Sequence, residues 1–574
     1  MGKSAMQAGG TIGTPVSTRA TWLPNLPLGL LGTAVLACAL LLTLPLTLPL
    51  GPMYWDLVLY LDAANRIGDG QVPLIDFIAP VGPLGYWLFA GFDALFPRAH
   101  PLLTAQWCLF AVTAPAMAVV LHAISRQSRA TAMALLLPYL AFQILPINVE
   151  HYSFFPGTDG FGIYNRHVSI VLYVLVAGLL FLRGPALGAV IGWTLTALFL
   201  IKITGFLAGG LVTAFALAAG RIGWRQSLLI AAAGGLAALG LELATGLVSA
   251  YLDSILALVA INAGGILPRF VQAASLHLDI VGAGTALGLA LLWLDRRDIA
   301  EAALALRRQP STAGFVRLLD RDVAWLAVVM VAGLFFETQN TGGQAFIWPV
   351  LLVILSRWLG SGRRGALVVC GLVAATAIPP AETVLQRGAR ALMAQAGYAA
   401  LPNQHLGRLG LVSQHANVMD RASAMLDIYA SHPATFREFT AREMLPNPQL
   451  YSELDFQASW LMAVDEGVSA ILAHEQASGR RFETIMSLNF VNPFPSVMGR
   501  SAPRGIAIGA DPFRAVPKPD DAEITLAREA DLVLYPLCPV TVANEALRRI
   551  YAPVLTGRRE IALGRCWKGY VRAD

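Results

Sequence analysis

Eleven apolar runs, each long enough to cross or nearly cross a bilayer, are strung along the first 380 residues with arginines gathered between them. They lie near 28–50, 102–122, 130–147, 167–182, 185–202, 204–220, 227–249, 276–294, 323–337, 345–359 and 364–380. About 20 apolar residues span the hydrocarbon, and shorter runs need thinning or burial. A chain of 574 residues that is 56% hydrophobic, 13% charged and has a mean hydropathy of +0.60 lies outside the range of soluble domains. The expected fold class is therefore a polytopic α-helical membrane protein with about 11 transmembrane helices.

The formal charge is +5, and it falls in clusters: Arg126 and Arg129; Arg183; Arg221 and Arg225; Arg296, Arg297, Arg307, Arg308, Arg317 and Arg321; Arg357, Arg363 and Arg364. With Lys3 and Arg19 inside, eleven crossings put every cluster on the cytoplasmic side, as the positive-inside rule requires. The charge thus reports orientation, and no nucleic-acid partner is implied. Residues 1–27 read as a cytoplasmic tail before an uncleaved first helix, because the apolar run is too long for a signal peptide and lacks a small-residue cleavage site. The opening MGKSAM has Met where simple myristoylation needs Ser or Thr.

Parity constrains residues 83–97 (PLGYWLFAGFDALFP). A full crossing there would turn all later clusters outward, so the segment is expected to lie in the interface or re-enter. The outward loops are then 51–101, 148–166, 251–275 and 338–344, and the tail from 381 to 574 is outside as well. Hydropathy falls in that tail. Helical patterns (NVMDRASAMLDIYASH, DFQASWLMAVDEGVSAILAHEQ) give way to strand-like segments (ETIMSLNF, GIAIG, ADLVLYPL, REIALGRCWKGYVR), which predicts a C-terminal α/β domain large enough for its own core. Cys38, Cys108 and Cys370 fall in apolar runs as small hydrophobes. Cys538 and Cys566 fall in the tail, where an oxidising compartment would let them pair; spacing alone leaves that open.

The polar residues worth chemistry sit in the outward loops. Asp56 follows the first run directly, flanked by Tyr54 and Trp55 of an interfacial belt. It suits a general base acting on an acceptor hydroxyl, or the plain role of a cap or boundary residue. Asp62 and Arg66 have i,i+4 spacing and read as a structural pair. Asp69 and Asp76 flank a Gly-Gln-Val-Pro turn and read as solvated; Asp93, inside an apolar segment, needs a partner or water.

The second outward loop, NVEHYSFFPGTDGFGIYNRH, gathers Glu150, His151, Asp159, Tyr164, Asn165, Arg166 and His167, with glycines that allow close backbone folding. A divalent metal is one use of such groups, though the spacing fits no defined metal motif. A hydrogen-bonded cavity lining is the other. Lys202 interrupts LFLIKITGF at the outer end of a run, and Arg269 stands in NAGGILPRFVQ near a membrane entry; both suit a lipid phosphate, as does Arg166, or else snorkel to the interface. Glu337, Gln339, Asn340 and Gln344 make a polar turn that either binds sugar hydroxyls or is simply wet. GxxxxGK[ST], HExxH and GxSxG are absent from the sequence, so ATP-driven transport and common hydrolase chemistries receive no support.

The aspartate just outside a first helix, then YLDAANRIGDGQVPLIDF, then PVGPLGYWL, resembles the GT-C superfamily of integral-membrane glycosyltransferases. That superfamily includes protein O-mannosyltransferases, the lipid A aminoarabinose transferase and oligosaccharyltransferases. The resemblance implies a 28–380 transmembrane transferase domain with juxtamembrane helices in the first external loop. It further implies transfer of a hexosyl or pentosyl unit from a polyprenyl-phosphate donor to a glycan, lipid or protein acceptor, with Asp56 as general base. A bacterial-type inner membrane with a periplasmic C-terminal domain would be the setting. Two departures stand out: Leu57 follows Asp56 where paired acids are frequent, and Val81 and Gly82 occupy positions where a Lys or His often precedes the P-L-x-Y-W element. A transporter or flippase of lipid-linked sugars would instead show repeated halves with matching broken helices, and the sequence shows no such duplication. A scaffold for envelope assembly would leave Asp56 without a purpose.

Overall fold

The computed structural model describes residues 25–149, 155–262, 266–338, 342–445 and 454–572. Each of the eleven runs carries a helix. Among the described residues, five helices are long and apolar enough to cross a membrane, or up to six if the bent pair Leu267–Leu276 and Leu278–Leu294 counts as one span. At the centre stands Ile163–Phe181, largely apolar on every side beyond its first two turns and buried along almost its whole length. Helices Phe110–Ser125, Arg129–Ile144, Gly184–Ile201, Ile203–Ala218 and Trp348–Trp358 pack around it. The outer helix Trp224–Thr245 has no buried residue: Leu229 is 71% and Leu243 80% exposed. Apolar surface of that extent belongs in lipid.

Three features depart from expectation. The first helix, Leu26–Leu41, stops well before residue 50, and Leu48–Pro49 (β1) instead pairs in parallel with Val412–Gln414 (β3) of the tail. Prolines 45 and 49 explain the early stop, since they cannot continue a helix. The stretch 251–275 is no open loop: after Gly246 at φ +70, Leu247–Ile261 forms a further apolar helix, and Ile266–Leu276 follows. Finally, helix Ala366–Gln395 runs unbroken through Pro379 and Pro380, past the point where hydropathy marks a change of domain.

Residues 83–97 contain the helix Leu84–Leu95, whose 12 residues reach roughly 18 Å, short of the hydrocarbon thickness. It packs on Val58–Gly68, the juxtamembrane helix behind Asp56. The tail is α/β. Ala399–Ala400 (β2) pairs antiparallel with β3, completing a sheet of order β1-β3-β2. Ile485–Ser487 (β4), Leu532–Pro536 (β5), Arg558–Leu563 (β6) and Trp567–Arg572 (β7) form a second sheet of order β4-β5-β7-β6, with β4 and β5 parallel and the rest antiparallel. GIAIG makes no strand of its own. Ala507 bridges Ile78, so this segment pairs with the stretch that precedes helix Leu84–Leu95. Cys538 and Cys566 form a disulfide with Cα atoms 5.0 Å apart.

Candidate active site

Asp56 sits in a short 3-10 turn, Tyr54–Leu57, entered through Met53 in the left-handed region at φ 55. The backbones around Gly51–Tyr54 and Gly157–Gly160 cross here without side chains between them. A Cβ on Gly51 would lie 2.0 Å from the Thr158 carbonyl oxygen, and one on Gly160 would lie 2.5 Å from that of Met53. The tail grips the turn from the other side. Trp55 N–H donates to Gln457 Oε1 (3.1 Å), Tyr54 Oη donates to the Leu409 carbonyl (3.0 Å), and the Trp55 ring packs on Phe490 at 4.1 Å.

The Asp56 carboxylate is 7% exposed and accepts the Gly162 N–H at 3.2 Å, at the positive end of helix Ile163–Phe181. Asp56 therefore does cap a helix, though in the second loop and not its own. Burial pushes its carboxyl up from an ordinary 3.8 to about 7, against the pull of the Gly162 N–H and of Arg166.

A cavity of about 320 Å³ opens on this carboxylate. Its walls come from four places: the first loop (Trp55, Asp56, Val81), the second loop and helix break (Tyr164, Lys202), the helix Leu247–Ile261 with Asn262, and the tail (Phe490, Asp511, Arg514). Lys202 stands at the break between Gly184–Ile201 and Ile203–Ala218, in extended backbone. Its ammonium donates to Asn165 Oδ1 at 2.7 Å and lies 5.1 Å from the Tyr164 ring centroid. The first loop seats directly on that break: Gly82 N–H donates to the Ile201 carbonyl at 2.9 Å, and a Cβ on Gly82 would come within 2.3 Å of the Leu200 oxygen. Lys202 thus faces the cavity beside Val81, in the neighbourhood where the first loop itself offers no cation.

Other expected site residues are placed elsewhere. Asp159 is fully buried behind the cavity, where its carboxylate takes Arg387 Nη2 at 2.9 Å and the Asn148 N–H at 2.7 Å. Arg166 does not line the cavity; it donates to the Asp159 carbonyl at 3.0 Å and acts on Asp56 through its charge. Arg269 is one step back from the wall, donating to Asn262 Oδ1 at 3.0 Å. Glu150 and His151 lie outside the described residues, as do Gln339 and Asn340.

Of that polar turn, Glu337 and Gln344 are buried rather than wet. Glu337 is buried, accepts the N–H groups of Gly342 and Gly343 and the Gln344 amide, and lies 2.8 Å from His277. Asp76 is half-buried and accepts the Val72 N–H at 2.7 Å, whereas Asp69 is exposed. Asp93 finds its partner in Arg408, at 2.6 and 2.9 Å, and Asp62 pairs with Arg66 at 2.8 Å. As for a metal, the described residues contain no group of three His, Cys, Asp or Glu able to hold one. The cavity wall offers two carboxylates, Asp56 and Asp511.

Sequence reasoning missed Tyr251, Asn262, Asp511 and Arg514. The first two were hidden by reading their helix as a loop. The last two lie in GADPFRAVPKPD, a turn-rich stretch with nothing to tie it to residue 56.

No family model matches the chain, and no curated protein matches it in sequence. Among solved structures, it is similar to ArnT from Cupriavidus metallidurans in the apo state, with 15% identity, 95% of this chain and 97% of that chain covered, and a TM-score of 0.40. The same protein bound to undecaprenyl phosphate gives 15%, 95%, 98% and 0.38. The archaeal oligosaccharyltransferase AglB from Archaeoglobus fulgidus, in complex with an inhibitory peptide and a dolichol-phosphate, gives 11%, 95%, 74% and 0.27. These are loose likenesses, and what the site does has to be argued from the chain's own residues.

Proposed function

We propose that the protein is a membrane glycosyltransferase that moves a sugar from a polyprenyl-phosphate donor to an acceptor hydroxyl on the non-cytoplasmic face. The observation that carries this is the single cavity shared by a poised carboxylate, Asp56, and a buried cation, Lys202, against an apolar helix. Leu252, Leu256 and Val259 of that helix are 44%, 66% and 57% exposed, so a prenyl chain has a lipid-facing surface leading to the cavity.

In the reaction, the acceptor oxygen attacks the anomeric carbon and its proton passes to Asp56, while the carbon–oxygen bond to phosphate breaks and the electron pair stays on the phosphate. A base with its pKa near the working pH is well matched to that step. Lys202 lies where the leaving phosphate would gather charge, and its hydrogen bond to Asn165 holds it there. Arg166 works from behind, keeping Asp56 ionisable in a buried place. The C-terminal domain is assigned to the non-cytoplasmic side, and the Cys538–Cys566 disulfide supports this because such bonds persist in oxidising compartments.

Transport is the weaker reading. It calls for matched broken helices in two halves, and among the described residues the one sharply bent pair, at 89° near His277, has no counterpart. The test is turnover of a lipid-linked donor by purified Asp56→Asn protein in nanodiscs: loss of transfer with normal folding is expected, and near-normal transfer would refute the general-base role. Reporter fusions at Arg126 and after Asp574 should read cytoplasmic and external respectively.

A further inference from the structure

We propose that Arg514, from the C-terminal domain, recognises the second negative charge that appears on the phosphate as the sugar leaves. On this view the donor site is complete only where the two domains meet. The inference rests on the donor reading above.

The segment carrying Arg514 is fastened to the first loop and to the membrane helices by its backbone. Gly505 N–H donates to the Asp76 carbonyl (2.8 Å), Ile78 N–H to the Ile506 carbonyl (3.1 Å), and Ile508 N–H back to that of Ile78 (2.9 Å). Gly509, at φ +59, then turns the chain over Leu59 and Pro80. The Asp511 carbonyl accepts the Ala515 N–H at 2.8 Å, and its carboxylate accepts the Phe513 N–H at 3.0 Å, which closes a tight turn. At the far side, Asn262 Nδ2 donates to the Arg514 carbonyl at 3.0 Å, while Asn262 Oδ1 receives Arg269. Arg514 is thereby set against the end of the cavity-lining helix, and its charge is felt at both Lys202 and Arg269.

Lys202 and Arg514, two cations from separate elements, therefore line one cavity, with Arg269 one step behind. The charges of Lys202 and Arg514 repel each other, and an anion bound beside them relieves that. A donor phosphodiester carries one negative charge. The phosphomonoester left after transfer carries about 1.5 to 2 near neutral pH. Lys202 can neutralise the diester, so an added cation at the same wall gains most of its interaction as the carbon–oxygen bond breaks. An interaction stronger in the transition state than in the ground state raises kcat without lowering KM in proportion.

The step balances: the acceptor's O–H proton goes to Asp56, the new bond forms at the anomeric carbon, and the electron pair of the broken bond remains on the phosphate facing Lys202 and Arg514. Arg514 is exposed, so replacing its side chain removes no core packing.

The test uses the full chain in nanodiscs with two probes, undecaprenyl phosphate and its methyl ester, which differ by the charge in question. The natural protein should prefer the monoester by about tenfold, the scale of one charge-assisted hydrogen bond. Arg514→Gln should abolish that preference while leaving the methyl ester's affinity within about twofold, and Arg514→Lys should keep most of it. Arg559→Gln, on an exposed face of the distant β6, should change nothing. A preference that survives Arg514→Gln overturns the inference, as does equal binding of the two probes by the natural protein. Binding of neither probe would overturn the donor reading itself, and this one with it.

Discussion

Two buried aspartates, Asp56 and Asp159, are both pushed up by burial and differ in the partners that answer it. Asp159 receives a guanidinium and a backbone N–H directly, and the charge of Arg166 as well. Burial pushes its carboxyl up and those partners pull against it. Asp56 receives one N–H at 3.2 Å and the field of Arg166 at a distance, with a cavity in front of it. A carboxylate with a donor on each oxygen is part of the scaffold. One left short of partners at the edge of a cavity is free to take a proton, and the protein bears the cost of keeping it so.

The sharpest way to break the contrast is to neutralise each acid. Asp56→Asn should lower turnover by about 10²- to 10⁴-fold, the range of general-base catalysis, in protein that remains folded. Asp159→Asn should do the reverse: it removes the carboxylate charge that pairs with Arg387, and unfolding stability should drop by about 3–5 kcal/mol. Comparable transfer by the Asp56 variant, or an unchanged thermal transition in the Asp159 variant, would erase the distinction.

Stability against pH sharpens it further. Because burial raises the Asp56 pKa from 3.8 to about 7, its ionisation penalises the folded state. That penalty is absent below about pH 4, grows between the two values, and is complete above about 7. Asp56→Asn should therefore be more stable than the natural protein at pH 8, by a ceiling of about 4 kcal/mol, and equal to it at pH 4. Thermal unfolding in nanodiscs at the two pH values measures this. By the same sign, kcat/KM of the natural protein should rise tenfold per pH unit below about 7 and level off above.

Smaller effects belong to the cations. Lys202→Ala should weaken donor affinity by roughly 1–3 kcal/mol with little effect on the acceptor. Arg166→Gln should shift the pH–rate profile to higher pH, because its charge holds the Asp56 pKa down. The exposed pair Arg421–Asp455 gives the lower bound: breaking it should cost under about 1 kcal/mol.

What could be read ahead of the structure follows from how far apart the partners lie. Asp56, the short 83–97 segment and the Asp62–Arg66 pair are local features, set by hydropathy and helical spacing. The fate of Asp159 depends on Arg387, 228 residues later, in a helix that passes straight through a Pro-Pro pair. GIAIG has strand composition but spends it on a bridge to Ile78. The helix Leu247–Ile261 was concealed because its apolar residues continue the previous run and only Gly246 separates the two. Arg514 gives no local sign at all, since the turn that holds it makes sense only with Asn262 beside it.

The seating of Gly82 on the Ile201 carbonyl has one more implication, for how such sites are traced between chains. Contact between a loop and a helix break lets a positive charge be supplied from either side of the seam, since Val81 and Lys202 look into the same space. A chain that moves its cation from one side to the other keeps the electrostatics and changes both motifs. Column-by-column comparison would score that exchange as a lost residue in one place and an unexplained lysine in another, while a bound anion would meet the same field.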